Sequence, residues 1–257
     1  MNVVRLDRAS SAPTCSEQII LGMAQLSPFG VSEQWLLRHC GDRHWSLIAD
    51  AIGSSMAFRD DDGHPVYAAF CATSVRFQGI AVLGETALTT SAIFQVAPQR
   101  VGSTHTVIGA NGVLATVQMI TCFLRHDERG SNRSLLRSNL RGLEDLPKPP
   151  QTFFAFSEAS RKIARDARAE LKAAPIFDYT PNPTLDFNAV GLLYFPTFSQ
   201  IAELAAPTQG VESRDVVYLG NVDLGESVSV SKSGRRLLLH VGPRLIGVVE
   251  SHQCAND

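Results

Sequence analysis

Apolar residues fall at helical spacing in two places along the chain. The first set is Trp35, Leu36, Leu37, Trp45, Ile48, Ala49 and Ile52; the second is Leu192, Leu193, Phe195, Phe198, Ile201, Ala202 and Ala205. Alternating, β-branched sequence follows each one and predicts strands. After the first helix these are residues 66–77, 81–96 and 104–124; after the second, 215–219, 226–231, 236–241 and 245–251. Ser233-Gly234 and Gly242-Pro243 mark turns, and Gly109-Ala-Asn-Gly112 interrupts its strand as a bulge or a turn.

The two halves share sequence as well as pattern. Trp45-Ser-Leu-Ile-Ala-Asp50 matches Phe198-Ser-Gln-Ile-Ala-Glu203 at an offset of 153 residues, and Leu83-Gly-Glu-Thr86 matches Leu224-Gly-Glu-Ser227 at an offset of 141, in the same order. Each half therefore reads as one long apolar helix followed by antiparallel strands. A helix that is apolar around much of its circumference must be surrounded, and a curling antiparallel sheet does this with few residues. The expected fold class is α+β, a double hot-dog with units at 1–145 (with a connector) and 146–257. A plain two-layer α+β pair is the alternative.

The chain has 257 residues, of which 44% are hydrophobic and 19% charged, enough apolar sequence for a sizeable core. A net charge of −2 argues against a bulk nucleic-acid binder. No apolar run approaches the roughly 20 residues that span a bilayer, and residues 1–17 do not read as a secretory signal. Cys15, Cys40, Cys71, Cys122 and Cys254 are scattered, without metal-binding spacing. The expectation is a cytoplasmic protein with free thiols and neither metal nor cofactor. Residues 125–172 carry net +4, against −6 for the rest, with Arg125, Arg129, Arg133, Arg137 and Arg141 at every fourth position. Gly130-Ser-Asn132 interrupts any continuous helix there, Leu146-Pro-Lys-Pro-Pro150 reads as a stiff linker, and Ser157 as the cap of a helix through Lys172. This segment is either a solvated connector or a landing surface for phosphates or an acidic partner.

Nucleotide and serine-hydrolase signatures are missing from the sequence. His39 and His44 lack zinc-helix spacing, and Arg59-Asp-Asp-Asp62-Gly63 reads as a solvated acidic turn. Two expected helix N-termini, Phe29-Gly30-Val31-Ser32 and Asn188-Ala189-Val190-Gly191, offer free backbone N–H groups to a thioester carbonyl, or are ordinary caps.

Leu185-Asp186-Phe187-Asn188-Ala-Val-Gly191 resembles the D-x-N-x-x-G-type signature of hot-dog thioesterases. Over a wider span, residues 27–45, 186–195 and 218–225 resemble the leinamycin-type bifunctional acyltransferase/decarboxylase family of polyketide biosynthesis. That resemblance implies a double hot-dog that takes methylmalonyl-CoA, releases carbon dioxide, and loads a propionyl group onto an acyl carrier protein; a homodimer is expected. It also implies a key tyrosine in the first unit, where Tyr67 is the one tyrosine. Tyr67 either carries the acyl group or hydrogen-bonds an enolate. The Gly30–Ser32 amides and the Ser32 hydroxyl are further donor candidates, and Arg76, Arg100 or His105 is expected to hold the substrate carboxylate. A competing reading is a thioesterase in which Asp186 activates water and the Asn188–Gly191 amides bind the carbonyl. Ala189-Val190 departs from that signature, where polar or histidine residues are usual. A non-catalytic acyl or carrier-protein scaffold is the third.

Overall fold

A computed structural model describes residues 13–170 and 173–253. Its elements run β1 (Thr14–Ile20), β2 (Leu26–Ser27), β3 (Gly30–Val31), α1 (Glu33–Ile52), β4 (Tyr67–Phe77), β5 (Thr86–Ala97), β6 (Arg100–Gly109), β7 (Gly112–Arg125), β8 (Leu136–Arg137), α2 (Gln151–Ala169), β9 (Pro175–Tyr179), α3 (Phe195–Ala205), β10 (Ser213–Tyr218), β11 (Val228–Ser233), β12 (Arg236–Val241) and β13 (Arg244–His252). One antiparallel sheet runs β1-β5-β6-β7-β4-β10-β13-β12-β11-β9, with β8 added to β7. Read outward from the β4–β10 junction, the halves mirror each other: β7, β6, β5, β1 on one side and β13, β12, β11, β9 on the other. This is the double hot-dog, with the sheets joined edge to edge through pairs such as Thr73 with Val216.

The repeat falls where the strands require it. Leu83-Gly84 turns the chain into β5 and Leu224-Gly225 turns it into β11, with Gly84 and Gly225 at φ 86° and 84°. Both backbones sit in the left-handed region, which glycine enters without a Cβ clash. Trp45 and Phe198 lie on α1 and α3, the two central helices. Ser32 caps α1 by accepting from the Trp35 amide, and the helix ends at Gly53. Its buried face (Leu36, Leu37, Cys40, Leu47, Ile48) packs on the sheet, with Val75, Val117 and Met119 under its first half and Val66, Val101 and Phe123 under its second.

Several sequence expectations change. The second helix is shorter than its periodicity implied. Leu192 and Leu193 belong to a loop, and α3 starts at Phe195 with Pro196 in its first turn. The span 104–124 is two strands around an Ala110-Asn111 turn, and β6 begins at Arg100. The arginine-rich stretch after β7 is irregular rather than helical. α2 starts six residues ahead of Ser157, with Pro150 as its N-cap position, and Ser157 is buried within it. Lys172 and Cys254 lie outside the described residues. α2 covers the sheet face opposite α1, where Phe153, Phe156, Ile163 and Ala167 meet Ala72, Ile120, Val217 and Val248. It therefore packs on strands of both halves. No helix among the described residues is long and apolar enough to cross a membrane.

Candidate functional site

A cavity of about 1150 Å³ opens where the halves meet. Its wall comes from α1 (Gly41, Asp42, Trp45), the start of β4, the β6–β8 rows beside it, α2, the loop before α3 and the turn after β10. Tyr67, at the first position of β4 and 9% exposed, contributes to that wall.

Its hydroxyl lies 2.5 Å from Nδ1 of His126, and Nε2 of His126 lies 2.8 Å from Oδ1 of Asn132. The proton positions follow from the third member. The Asn132 side-chain nitrogen donates to the carbonyls of Gly191 (2.7 Å) and Val222 (2.8 Å), so its oxygen faces His126 and must accept. His126 therefore carries its proton on Nε2, and its Nδ1 lone pair accepts the Tyr67 hydroxyl. Asn132 is fixed further by its own amide, which donates to Asp223 at 2.7 Å. The result is a phenol, an imidazole whose Nδ1 faces the phenol oxygen, and an amide that orients the ring. The first two come from the N-terminal half, and the third is clamped by loops of the C-terminal half. His126 and Asn132 escaped the sequence reading because they sit in an irregular, arginine-rich stretch. His126 falls one residue after β7, whose Leu124 pairs with Tyr67, and that pairing was the available signal.

A second phenol faces the same cavity. Tyr194 precedes α3 and has no hydrogen-bond partner for its hydroxyl among the described residues. Burial and the nearby Asp42 push its pKa up to about 12. It stays protonated at neutral pH and is a donor.

Charge in the cavity is one-sided. Arg100, Arg137, Arg161, Arg165 and Arg168 line it against a single carboxylate, Asp42, and none of the five makes an ion pair among the described residues. By contrast, Arg125 pairs with Asp60, Arg133 with Asp223 and Glu226, and Arg141 with Asp61. Three arginines of the basic segment are thus neutralised locally, and its unpaired arginines, Arg129 apart, converge on the cavity.

The other expected site residues divide sharply. Asn188 reaches the cavity wall, but its Oδ1 accepts from the Val190 and Leu192 amides and so shapes its own loop. Residues 188–191 are that loop rather than a helix N-terminus; Gly191 contributes the carbonyl that holds Asn132. Asp186 is 2% exposed, behind the wall, with Oδ2 accepting from the Tyr179 hydroxyl (2.9 Å) and the Asn182 amide (2.7 Å). Through Oδ2 it clamps the loop, and it does not line the cavity. Gly30, Val31 and Ser32 lie at the far end of α1: ten residues separate Ser32 from Asp42, roughly 15 Å along a helix. Arg76 is engaged by Asp215 through two 3.0 Å bonds. His105 is fully buried between Ser91 and Ser103, and burial holds its pKa well below the usual imidazole value. Of the three candidates for a substrate carboxylate, Arg100 alone faces the cavity. Asp60, Asp62 and His64 cluster closely enough to hold a cation, but Asp60 Oδ1 already accepts from the Asp62 and His64 amides, and the group is largely exposed.

No family model and no curated protein matches the sequence. Solved structures do match in fold. An acyl-ACP thioesterase from Bacteroides thetaiotaomicron superposes with a TM-score of 0.66 at 11% identity, covering 93% of this chain and 97% of that one. The 12:0-ACP thioesterase from Umbellularia californica gives 0.63 at 10%, covering 93% and 92%. HtdX from Mycobacterium tuberculosis gives 0.54 at 13%, covering 89% and 91%. Over nearly its whole length the chain has the fold of these tandem proteins.

Proposed function

We propose that the protein acts on acyl thioesters, with Tyr67 as the nucleophile and His126 as its general base. The hydrogen-bond direction along Tyr67–His126–Asn132 carries this reading. A Tyr67 hydroxyl that donated to a substrate enolate would have to abandon His126. As a nucleophile it keeps that bond and passes its proton along it. As the phenol oxygen attacks the carbonyl, the proton moves to Nδ1. The new C–O bond forms, the C–S bond breaks, and the departing thiolate takes the proton back from the imidazolium. Base assistance of this type contributes about 10²–10⁴-fold. Tyr194 is the donor for the carbonyl oxygen.

The substrate we favour is methylmalonyl-CoA. Its carboxylate leaves as carbon dioxide, and the enolate takes a proton from water. The phosphopantetheine thiol of an acyl carrier protein attacks the propionyl ester, whose C–O bond to Tyr67 breaks as the thiol proton returns to the phenol through His126. The resemblance of residues 27–45, 186–195 and 218–225 supports this, as do the unpaired arginines. Arg137 pairs with Leu124 and Leu124 with Tyr67, so Arg137 and Tyr67 share one row of the sheet face. Arg100 stands in the next row, paired with Cys122. Both are within side-chain reach of an acyl carboxylate at Tyr67, and Arg161, Arg165 and Arg168 suit the phosphates of the thioester's carrier.

The second reading is simple hydrolysis of an acyl-ACP or acyl-CoA. The names of the structural neighbours and the fold favour it, while the engaged Asp186 weighs against the mechanism first expected for it. Incubating the protein with methylmalonyl-CoA and a phosphopantetheinylated carrier, then weighing the carrier, separates the readings. Propionyl-carrier supports transfer, free acid supports hydrolysis, and an unchanged thioester rejects both.

A further inference from the structure

We infer that Cys71 and Cys122 form a redox-reactive dithiol in the cavity wall, which a peroxide converts to an intrachain disulfide. The two cysteines come from neighbouring strands. Cys122 of β7 stands opposite Ala69 of β4, and Cys71 falls at the register shift where Phe70 pairs with Thr121 and Ala72 with Ile120. The extra residue of this bulge turns Cys71 onto the face shared by Ala72 and Cys122. There the two thiols are neighbours, and the Cys71 S–H donates to the Ala69 carbonyl oxygen at 3.9 Å. Both side chains line the cavity, so small reagents reach them from solvent.

Their surroundings set different roles. The adjoining Cys71 thiol, helped by the Arg100 and Arg137 guanidinium groups, lowers the Cys122 pKa to about 7 against the opposing effect of burial. No carboxylate acts on it. The adjoining Cys122 sulfur and burial raise Cys71, which keeps its proton. A partly ionised, accessible thiolate beside a protonated thiol is the arrangement of an attacking and a resolving cysteine. The other described cysteines lack it: Cys40 is fully buried, its thiol pushed far up by burial, and Cys15 has no thiol neighbour.

The chemistry balances in two steps. The Cys122 thiolate attacks hydrogen peroxide; an S–O bond forms, the O–O bond breaks, hydroxide leaves, and sulfur is oxidised to the sulfenic acid. The Cys71 sulfur then attacks that sulfur, the S–S bond forms, and water leaves with the Cys71 proton. The bridge replaces a thiolate beside Arg100 and Arg137, with Cys122 two residues from Leu124, the strand partner of Tyr67, on the same face. It also ties the β4 bulge to β7, so oxidation reshapes the wall beside the reacting phenol.

The test is intact-mass and peptide-level analysis of the full chain after dilute hydrogen peroxide, alongside the pH dependence of iodoacetamide labelling. The wild type should lose the mass of two hydrogens, yield a Cys71–Cys122 linked peptide, and recover with dithiothreitol. Labelling at Cys122 should titrate with a midpoint near 7, about 1.5 units below an ordinary thiol. Cys71→Ser should stop at a Cys122 sulfenic acid that dimedone traps, and Cys122→Ser should form neither product. Labelling of Cys122 that titrates like Cys15, or peroxide treatment that leaves both thiols free, overturns the inference. None of these readouts needs the proposed activity, so a failure of that reading and a failure of this one are separable.

Discussion

A phenol is ordinarily protonated at neutral pH and a weak nucleophile. What distinguishes Tyr67 is a partner whose tautomer is imposed from outside. Asn132 spends both amide protons on backbone carbonyls and leaves its oxygen for His126, so His126 has no choice about which nitrogen accepts. Two predictions belong at this scale. Asn132→Leu leaves Nε2–H unpaired and frees the ring to flip, and should lower the acyl-transfer rate by about tenfold or more while the far-UV spectrum is kept; an unchanged rate removes Asn132 from the site. Asp186→Asn replaces a charged acceptor with a neutral one in a buried clamp. It should cost about 1–3 kcal/mol of stability, read as a lower denaturant midpoint, with catalytic loss no larger than the loss of folded protein. A fully folded but inactive Asp186→Asn protein would instead support the water-activating role. Little of this was legible in the sequence. Tyr67 could be singled out as the one tyrosine of the first half, whereas His126 and Asn132 are joined to it only through the β4–β7 pairing and the C-terminal loops.

At the scale of elements, α1 is held to the sheet by more than apolar contact. His44, fully buried on its inner face, bridges Ser103 of β6 and Thr121 of β7 at 2.8 Å each. Burial depresses its pKa to about 3, and His105 is depressed in the same network. The sign follows from proton counts. Between pH 6.5 and about 3 the unfolded chain binds a proton at His44 that the folded chain refuses, so stability is lost as pH falls through that range. The slope is about 1.4 kcal/mol per pH unit for His44. Urea midpoints at pH 7 and pH 5 should show it, and His44→Gln should flatten the difference; parallel curves would contradict the assignment. The two central helices meet at Gly41, where a Cβ would lie 2.9 Å from the Phe195 ring. Gly41→Ala should therefore overpack the contact and cost about 1–3 kcal/mol, measured as a shift in thermal midpoint. Helix α1 was legible because its periodicity runs unbroken from cap to cap. The length of α3 was not, because Leu192 and Leu193 are apolar for the cavity's sake rather than the helix's. Strand β1 was absent from the expected strands because it is an edge strand with an exposed face and carries little alternation of apolar residues.

Across the whole molecule, the mirrored sheet explains why the repeat was the most informative feature of the sequence. Leu83-Gly84 and Leu224-Gly225 occupy equivalent turns, and a pairing at that level predicts the fold without predicting chemistry. The chemistry arises where the symmetry is broken. The connector between the halves supplies His126, Asn132 and Arg137, and α2 adds three arginines to the same cavity. Replacing Arg161, Arg165 and Arg168 with alanine should raise the KM for a CoA thioester by about tenfold and weaken its salt dependence, with little change for the corresponding acyl-pantetheine. Equal effects on both substrates would mean the arginines act on the acyl end. The measurement that bears most directly on the account is intact-protein mass after brief exposure to methylmalonyl-CoA, compared between wild type and Tyr67→Phe. The account predicts an acyl adduct that maps to Tyr67 in the wild type, and neither adduct nor carrier loading in a folded Tyr67→Phe protein; a Tyr67→Phe protein that still turns the thioester over at the wild-type rate would contradict it.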